Sequence, residues 1–257
     1  MNRSDRAASR IIAGLALLVL LPLGAGAQDL PDAAQIVDRY VEALGGHDLL
    51  VSRQNSRSTG SFSMPAAGLS GTMDVRSMVG RVLQRFEIEG YGTSMTGYDG
   101  EVGWSVDPNL GPRLLEGKEL DALKESASID ASLRSADAYP VRETVELAEM
   151  NGQACHKVRF VSAAGRESFD CFSTESGLKV ATITTQETPM GAIEVLTLIG
   201  DYRDFDGINM PTRMTQQIYG AEQIITVETV EYGVVTEEDF TPPPAIQTLI
   251  DPAADGG

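Results

Sequence analysis

The sequence predicts a mainly β, α+β fold: one curved antiparallel sheet of roughly a dozen strands with helices on one face. Three observations predict it. From Ser58 onward apolar residues alternate with polar ones, the period-two pattern of half-buried strands. Gly, Pro, Asn-Gly and Asp-Gly signals cut this pattern into short runs. A helical period occurs only near the start, before Gly45-Gly46, and again within residues 117–138.

At the N-terminus, Arg3, Arg6 and Arg10 precede an apolar run from Ile11 to Leu23. Gly24-Ala25-Gly26-Ala27 then offers an A-x-A-like cleavage site before Gln28. This is the pattern of a secretory signal peptide over residues 1–27, with an apolar run shorter than the about 20 residues of a membrane span. No Cys stands at the cleavage site, so the mature chain is expected to be periplasmic, soluble and not membrane-anchored. Loss of Arg3, Arg6, Arg10 and Asp5 moves the net charge from −17 to −19. Such acidity disfavours nucleic acid and anionic membrane surfaces as partners. It names no oligomeric state.

The first element is a helix. Pro31 and Asp32 suit its first turn, Ile36, Val37, Tyr40, Val41 and Leu44 form its apolar stripe, and Gly45-Gly46 ends it. A short second helix is expected over His47–Ser52. Strands follow: Phe62 and Met64, then Leu69, Met73 and Val75, then Val82, Phe86 and Ile88, then Val102, Trp104 and Val106 supply the apolar sides of successive runs. Pro65–Gly68, Gly80, Gly90–Gly92 and Asp99-Gly100 separate them. Leu120, Leu123, Ile129 and Leu133, set among charged residues and Ala, predict two short helices before Pro140. Strands resume over 141–147, 155–161, 167–172, 179–187, 193–202, 209–219 and 223–231, with turns at Asn151-Gly152, Ser176-Gly177 and Asp206-Gly207. Thr241-Pro242-Pro243-Pro244 marks the expected end of a single domain spanning residues 28–240, leaving 241–257 as a mobile tail.

Cys155 and Cys171 flank the turn Ser162-Ala163-Ala164-Gly165. A hairpin centred on residue 163 would set Cys155 opposite Cys171 and Arg159 opposite Glu167, so a cross-strand disulfide is expected in an oxidising compartment.

Catalytic chemistry is hard to find. His47 and His156 are the only histidines, with no second His at ligand spacing and no G-x-S-x-G elbow, so neither a zinc site nor a serine triad is expected. Asp201, Asp204 and Asp206-Gly207 resemble a calcium loop in part. Aligned on Gly207, however, its first position holds Tyr202 and its twelfth Arg213, where acids are required. No catalytic residue, metal or cofactor is expected, and the chain is read as a non-enzyme.

Four stretches carry a family resemblance. Ile36-Val37-Asp38-Arg39-Tyr40-Val41-Glu42-Ala43-Leu44-Gly45-Gly46 is the first. Tyr98-Asp99-Gly100 through Trp104-Ser105-Val106, and Glu187-Thr188-Pro189-Met190-Gly191, are the second and third. Asp201-Tyr202-Arg203 with Asp206-Gly207 and Met210-Pro211 is the fourth. In this order they resemble the exported outer-membrane lipoprotein-sorting, lipoprotein-carrier-like (LolA/LolB-like) proteins. The resemblance implies an incomplete barrel whose opening is plugged by helices around an apolar cavity, and partners that are lipid or lipoprotein acyl chains. The carriers' interior arginine has no position in this sequence that matches it.

Each buried methylene contributes about 0.8 kcal/mol, so an apolar cavity without catalytic groups suffices to hold a chain. Strand parity gives the expected lining: Phe62, Met64, Met73, Val75, Phe86, Ile88, Trp104 and Val106, joined by Val158, Phe160, Leu196, Leu198, Met210 and Met214. The same residues could form a closed core, leaving an envelope protein–protein interaction or regulatory module as the alternative.

Overall fold

A computed structural model describes residues 30–188, 191–218 and 220–251. The expected signal peptide, Pro189 and Met190 of the third family-like stretch, Tyr219 and the chain after Asp251 lie outside them.

Helix α1 (Ala33–Leu44) starts where Asp32 Oδ1 accepts from the Ala34 N–H at 2.7 Å, and stops at Gly45. Gly45 has φ 127°, and a Cβ there would lie 2.4 Å from the Gly207 carbonyl oxygen, so only glycine lets the helix end approach that turn. Helix α2 (His47–Ser52) follows directly. Then come β1 (Ser56–Met64), β2 (Leu69–Met78), β3 (Arg81–Ile88), β4 (Gly92–Tyr98), β5 (Gly103–Asp107) and β6 (Gly111–Leu114). Helices α3 (Gly117–Ser126) and α4 (Ile129–Ser132) interrupt the strands. The second run comprises β7 (Val141–Met150), β8 (Gln153–Val161), β9 (Glu167–Ser173), β10 (Lys179–Thr188), β11 (Gly191–Phe205), β12 (Ile208–Ile218) and β13 (Ala221–Tyr232). Strands β4 and β6 escape the sequence pattern because their residues, GTSMTGY and GPRL, carry almost no apolar alternation.

All thirteen strands form one antiparallel sheet in the order β6-β5-β4-β3-β2-β1-β13-β12-β11-β10-β9-β8-β7. The last strand pairs with the first, joining two meanders, while β6 and β7 remain unpaired edges. The sheet is therefore an incomplete barrel, and α3 and α4 are the connection between its two free edges. Edge β7 carries Glu143, Glu146 and Glu149 and a register shift between Thr144 and Glu146, both of which discourage further pairing. Asp206 and Gly207, with φ of 52° and 89°, make the two-residue turn between Phe205 and Ile208.

Two expectations are corrected. The β8–β9 hairpin is centred one residue later than expected: Cys155 pairs with Ser173, and Lys157 with Cys171. The cysteines thus sit diagonally, beyond disulfide geometry, as two buried free thiols; Arg159 still reaches Glu167 diagonally at 2.5 Å. Secondly, within the expected tail the described residues form helix α5 (Pro244–Ile250), whose Ile246 is fully buried. Proline is tolerated in a first helical turn, so the proline run opens an element here.

Candidate ligand cavity

Paired residues share a face of the sheet, so the register decides which predicted lining residues meet. Phe62 pairs with Gly71 and Ile225, Met73 with Phe86, and Ile225 with Met214. Phe62, Met64, Met73, Val75, Phe86, Ile88 and Met214 therefore lie on one surface. That surface continues from Met214 through Ile199, Thr197, Thr182 and Asp170 to Val158 and Phe160. It is the helix-covered face: Ile36, Val37 and Tyr40 of α1 pack against Val158, Phe160 and Phe172. Val158 and Phe160 are completely buried there and belong to a closed core. Phe62 and Phe86 stack edge to face at 5.6 Å.

Trp104, Val106, Leu196 and Leu198 are on the opposite, outer face, against the expectation. Trp104 pairs with Gly97, and its ring lies so close that a Cβ on Gly97 would meet it at 2.5 Å. The inward positions of those strands belong to Gly103, Ser105, Val195 and Thr197. Leu196 and Leu198 pack with Cys155, Cys171 and Ala181. The reason is that both faces are partly buried. Arg76, which shares the outer face with Leu83, Gly97 and Trp104, bonds Asp239 at 2.5 Å, so the C-terminal segment crosses that face. Alternation reveals burial, and it cannot say on which side the cover lies.

Three cavities line the concave face and are joined by shared residues. The first, about 280 Å³, is bordered by Leu44, Leu50, Met78, Ile129, Leu133 and Met210 with Tyr40 and Tyr232, and also by Arg53, Gln54, Asn209 and five serines. The second, about 380 Å³, lies beside Arg134, Tyr139, Arg166 and Lys179, and shares Tyr40, Ser126 and Ser132 with the first. The third, about 620 Å³, runs between Gln84, Thr96, Ser105 and Arg113 on one arm and Thr184 and Gln186 on the other. Of the predicted lining, Met210 borders these cavities and the others do not. A larger hollow of about 830 Å³, by Arg81, Glu101 and Glu237, lies at the rim near the C-terminal segment and is not part of this chain of cavities.

The sequence reading missed a charged network at the centre. Asp170, fully buried on β9, accepts from Arg134 Nε at 2.7 Å and meets Lys179 Nζ at 2.8 Å. Arg134 also donates to the Tyr139 hydroxyl, which donates to Glu125 of α3; Glu125 in turn faces Arg166 at 3.3 Å. Arg134 follows α4 with φ 56°, an uncommon backbone for a non-glycine residue that ends the helix and accompanies the inward-facing guanidinium. Both cations lie over aromatic rings, Arg134 over Tyr139 and Phe160, Lys179 over Tyr40 and Phe172. Burial alone would raise the Asp170 carboxyl, but Arg134 and then Lys179 outweigh it and hold it well below the usual carboxylate range. Burial, then Arg134, pulls Lys179 down to about 8 against the attraction of Asp170. Among the described residues Asp170 Oδ1 has no hydrogen-bond partner. The available signal was parity: Asp170 alternates with Ser168 and Phe172 on the inward side.

His47 is exposed beside Asp48, and His156 is on β8, its Nδ1 buried without a partner. Among the described residues, no group of three His, Cys, Asp or Glu is placed to hold a metal ion. No helix among them is long and apolar enough to cross a membrane.

No protein-family model matches the sequence, and no curated protein does so at a significant level. Solved structures do match in fold. A LolA superfamily protein from Nitrosomonas europaea superposes with a TM-score of 0.56 at 10% identity, covering 83% of this chain and 99% of its own. The half-barrel is a shared fold. A DUF1329 family protein from Desulfovibrio piger gives 0.58 at 14% identity, with 82% and 98% covered. A domain assigned to outer-membrane lipoprotein sorting, from Vibrio parahaemolyticus, gives 0.50 at 12% identity, with 80% and 97% covered. At these identities the likeness concerns architecture, and the cavity's chemistry must be read from this chain's own residues.

Proposed function

We propose that the protein is an exported, periplasmic, non-catalytic binder of lipid or lipoprotein acyl chains, which it holds on the concave face of its half-barrel and which it serves in outer-membrane lipoprotein sorting. The observation that carries this reading is the apolar cavity bordered by Leu44, Leu50, Met78, Ile129, Leu133 and Met210. It lies between helices and sheet, where a modest separation of α1, α2 and α4 from the strands would lengthen it. Methionines suit it, since an unbranched thioether adapts to a flexible chain. The shared fold with a LolA superfamily protein and a lipoprotein-sorting domain supports the same reading.

Native mass spectrometry of protein purified from its own periplasm, followed by organic extraction, tests it. A co-purifying lipid or lipoprotein is expected. A clean unliganded mass that also ignores added fatty-acid probes overturns it.

A second reading, an envelope protein-interaction module, has its own observation. Edge strand β7 presents Val141, Val145 and Leu147 to solvent, apolar side chains that a partner's surface would cover without adding a strand to the charged, irregular edge. Affinity capture from envelope extracts that recovers no specific partner counts against it.

A further inference from the structure

The central network carries more positive than negative charge. Arg134, Lys179 and Arg166 face Asp170 and Glu125, while Tyr40 and Tyr139 stay neutral because burial raises both phenols. Glu167 also borders this cavity, but its carboxylate turns to the outer face, where it bonds Arg159. Among the described residues no other charged one lines it.

The surplus cation is held at poor hydrogen-bonding geometry. Arg166 Nη1 is buried, donates no hydrogen bond, and meets Glu125 only as an ion pair at 3.3 Å. The Arg166 side chain is only partly buried, but a half-shielded positive charge without full compensation is still unfavourable, and an entering anion would relieve it. Guanidinium groups present planar forks of N–H donors that match carboxylate and phosphate oxygens. Ser132 and Thr184 at the cavity wall add hydroxyls. The chain's net charge of −17 opposes anions at long range, but screening over about 8 Å at physiological salt leaves the local cations to decide. The apolar cavity begins at the same wall, through Tyr40, Ser126 and Ser132.

We propose that the cavity beside Arg134, Arg166 and Lys179 seats an anionic head group, a carboxylate or phosphate monoester, on an amphiphile whose chain enters the adjoining apolar cavity. This rests on the acyl-chain reading above and adds the polarity and orientation of the ligand: head toward Arg166, tail toward Met210 and Leu44.

The test uses three ligands with one chain length, namely palmitate, hexadecyl phosphate and hexadecanol. Each displaces the neutral fluorophore N-phenyl-1-naphthylamine from the full-length mature protein. At least one anionic ligand is expected to bind about tenfold or more tightly than hexadecanol. Which of them wins tells carboxylate from phosphate. Lys179→Met removes the surplus charge while leaving Arg134 on Asp170, and Arg166→Gln does so at a more exposed position. Either variant should bring the preference to within about twofold without weakening hexadecanol. Circular dichroism and thermal melting identify a variant that has not folded, and the other then decides. Equal binding of all three ligands by the wild type, or an undiminished preference in a folded variant, overturns the head-group site alone. Failure of every ligand to bind overturns the acyl-chain reading with it.

Discussion

Asp170 accepts from Arg134 Nε at 2.7 Å in a place largely withdrawn from water: the Asp170 side chain is 0% exposed and that of Arg134 14%. The pair ties the centre of β9 to the end of α4, so it fixes how the inter-edge connection sits on the sheet. Removing one partner of a buried pair leaves the other charge uncompensated, at a cost of about 3–5 kcal/mol. Asp170→Ala should lose that much in urea unfolding, with Asp170→Asn intermediate. A loss below about 1 kcal/mol would mean that the network does not fasten the helices. The sign in acid follows from the lowered carboxyl: its contribution is complete above the unfolded value of about 3.9 and disappears as pH falls through the lower folded value.

How far the sequence speaks is clear from particular residues. Asp32, Gly45 and the stripe from Ile36 to Leu44 define α1 because caps and period are local facts. Asp206-Gly207 defines its turn for the same reason. The half-barrel and the inter-edge position of α3 and α4 agree with the fold expected from the family resemblance. Trp104 and Leu198 were misplaced because alternation is symmetric: which face is inward depends on what covers it, and the cover comes from residues far away in sequence. Cys155 was misplaced by a single step in the hairpin centre, which shifts its cross-strand partner by two residues. The Arg134–Asp170–Lys179 cluster joins residues from a helix end and two strands, and no local pattern unites them.

Lys179 makes the network pH-sensitive on the alkaline side. Its folded value of about 8 lies below the unfolded value of about 10.4, so between the two the unfolded chain binds more protons and this group's contribution to stability rises with pH. Burial, the larger cause, and Arg134 both disfavour its charge. The buried thiols and phenols act in the opposite direction once their unfolded forms ionise, so the comparison must isolate the lysine. Unfolding free energies of wild type and Lys179→Met, followed from pH 7 to pH 10, should move in the wild type's favour above about pH 8. A constant difference would show that Lys179 does not lose its proton in this window.

The C-terminal segment should behave as part of the domain. Ile246 is completely buried, Phe240 nearly so, and Arg76 anchors Asp239 across the outer face that holds Trp104. Ile246→Ala removes buried methyl groups at a cost of about 2–5 kcal/mol, which in a domain of this size lowers the melting temperature by about 2–4 °C per kcal/mol. Truncation after Thr241 should cost at least as much and shift the fluorescence of the single tryptophan to the red as its cover is removed. Unchanged melting and emission in the truncated protein would identify residues 242–257 as a dispensable tail.

Met210 and Leu198 separate the two faces of the sheet in a single binding experiment. Met210 borders the apolar cavity of about 280 Å³ and accepts a hydrogen bond from the Tyr232 hydroxyl, whereas Leu198 packs among the cysteines on the outer face. An indole ring in place of the thioether at position 210 fills a cavity with little spare volume, so Met210→Trp should weaken a fatty-acid probe by about tenfold or more. Leu198→Ala removes apolar volume from the outer cluster and lowers stability, yet it should leave the probe affinity within about twofold. If instead Leu198→Ala abolishes binding and Met210→Trp does not, the chain lies on the outer face. The helix-covered surface would then be a closed core. Loss of binding in both folded variants would point to long-range coupling between the faces, and a second filled position, Leu44→Trp, would tell that from direct contact by weakening the probe only when the cavity itself holds the chain.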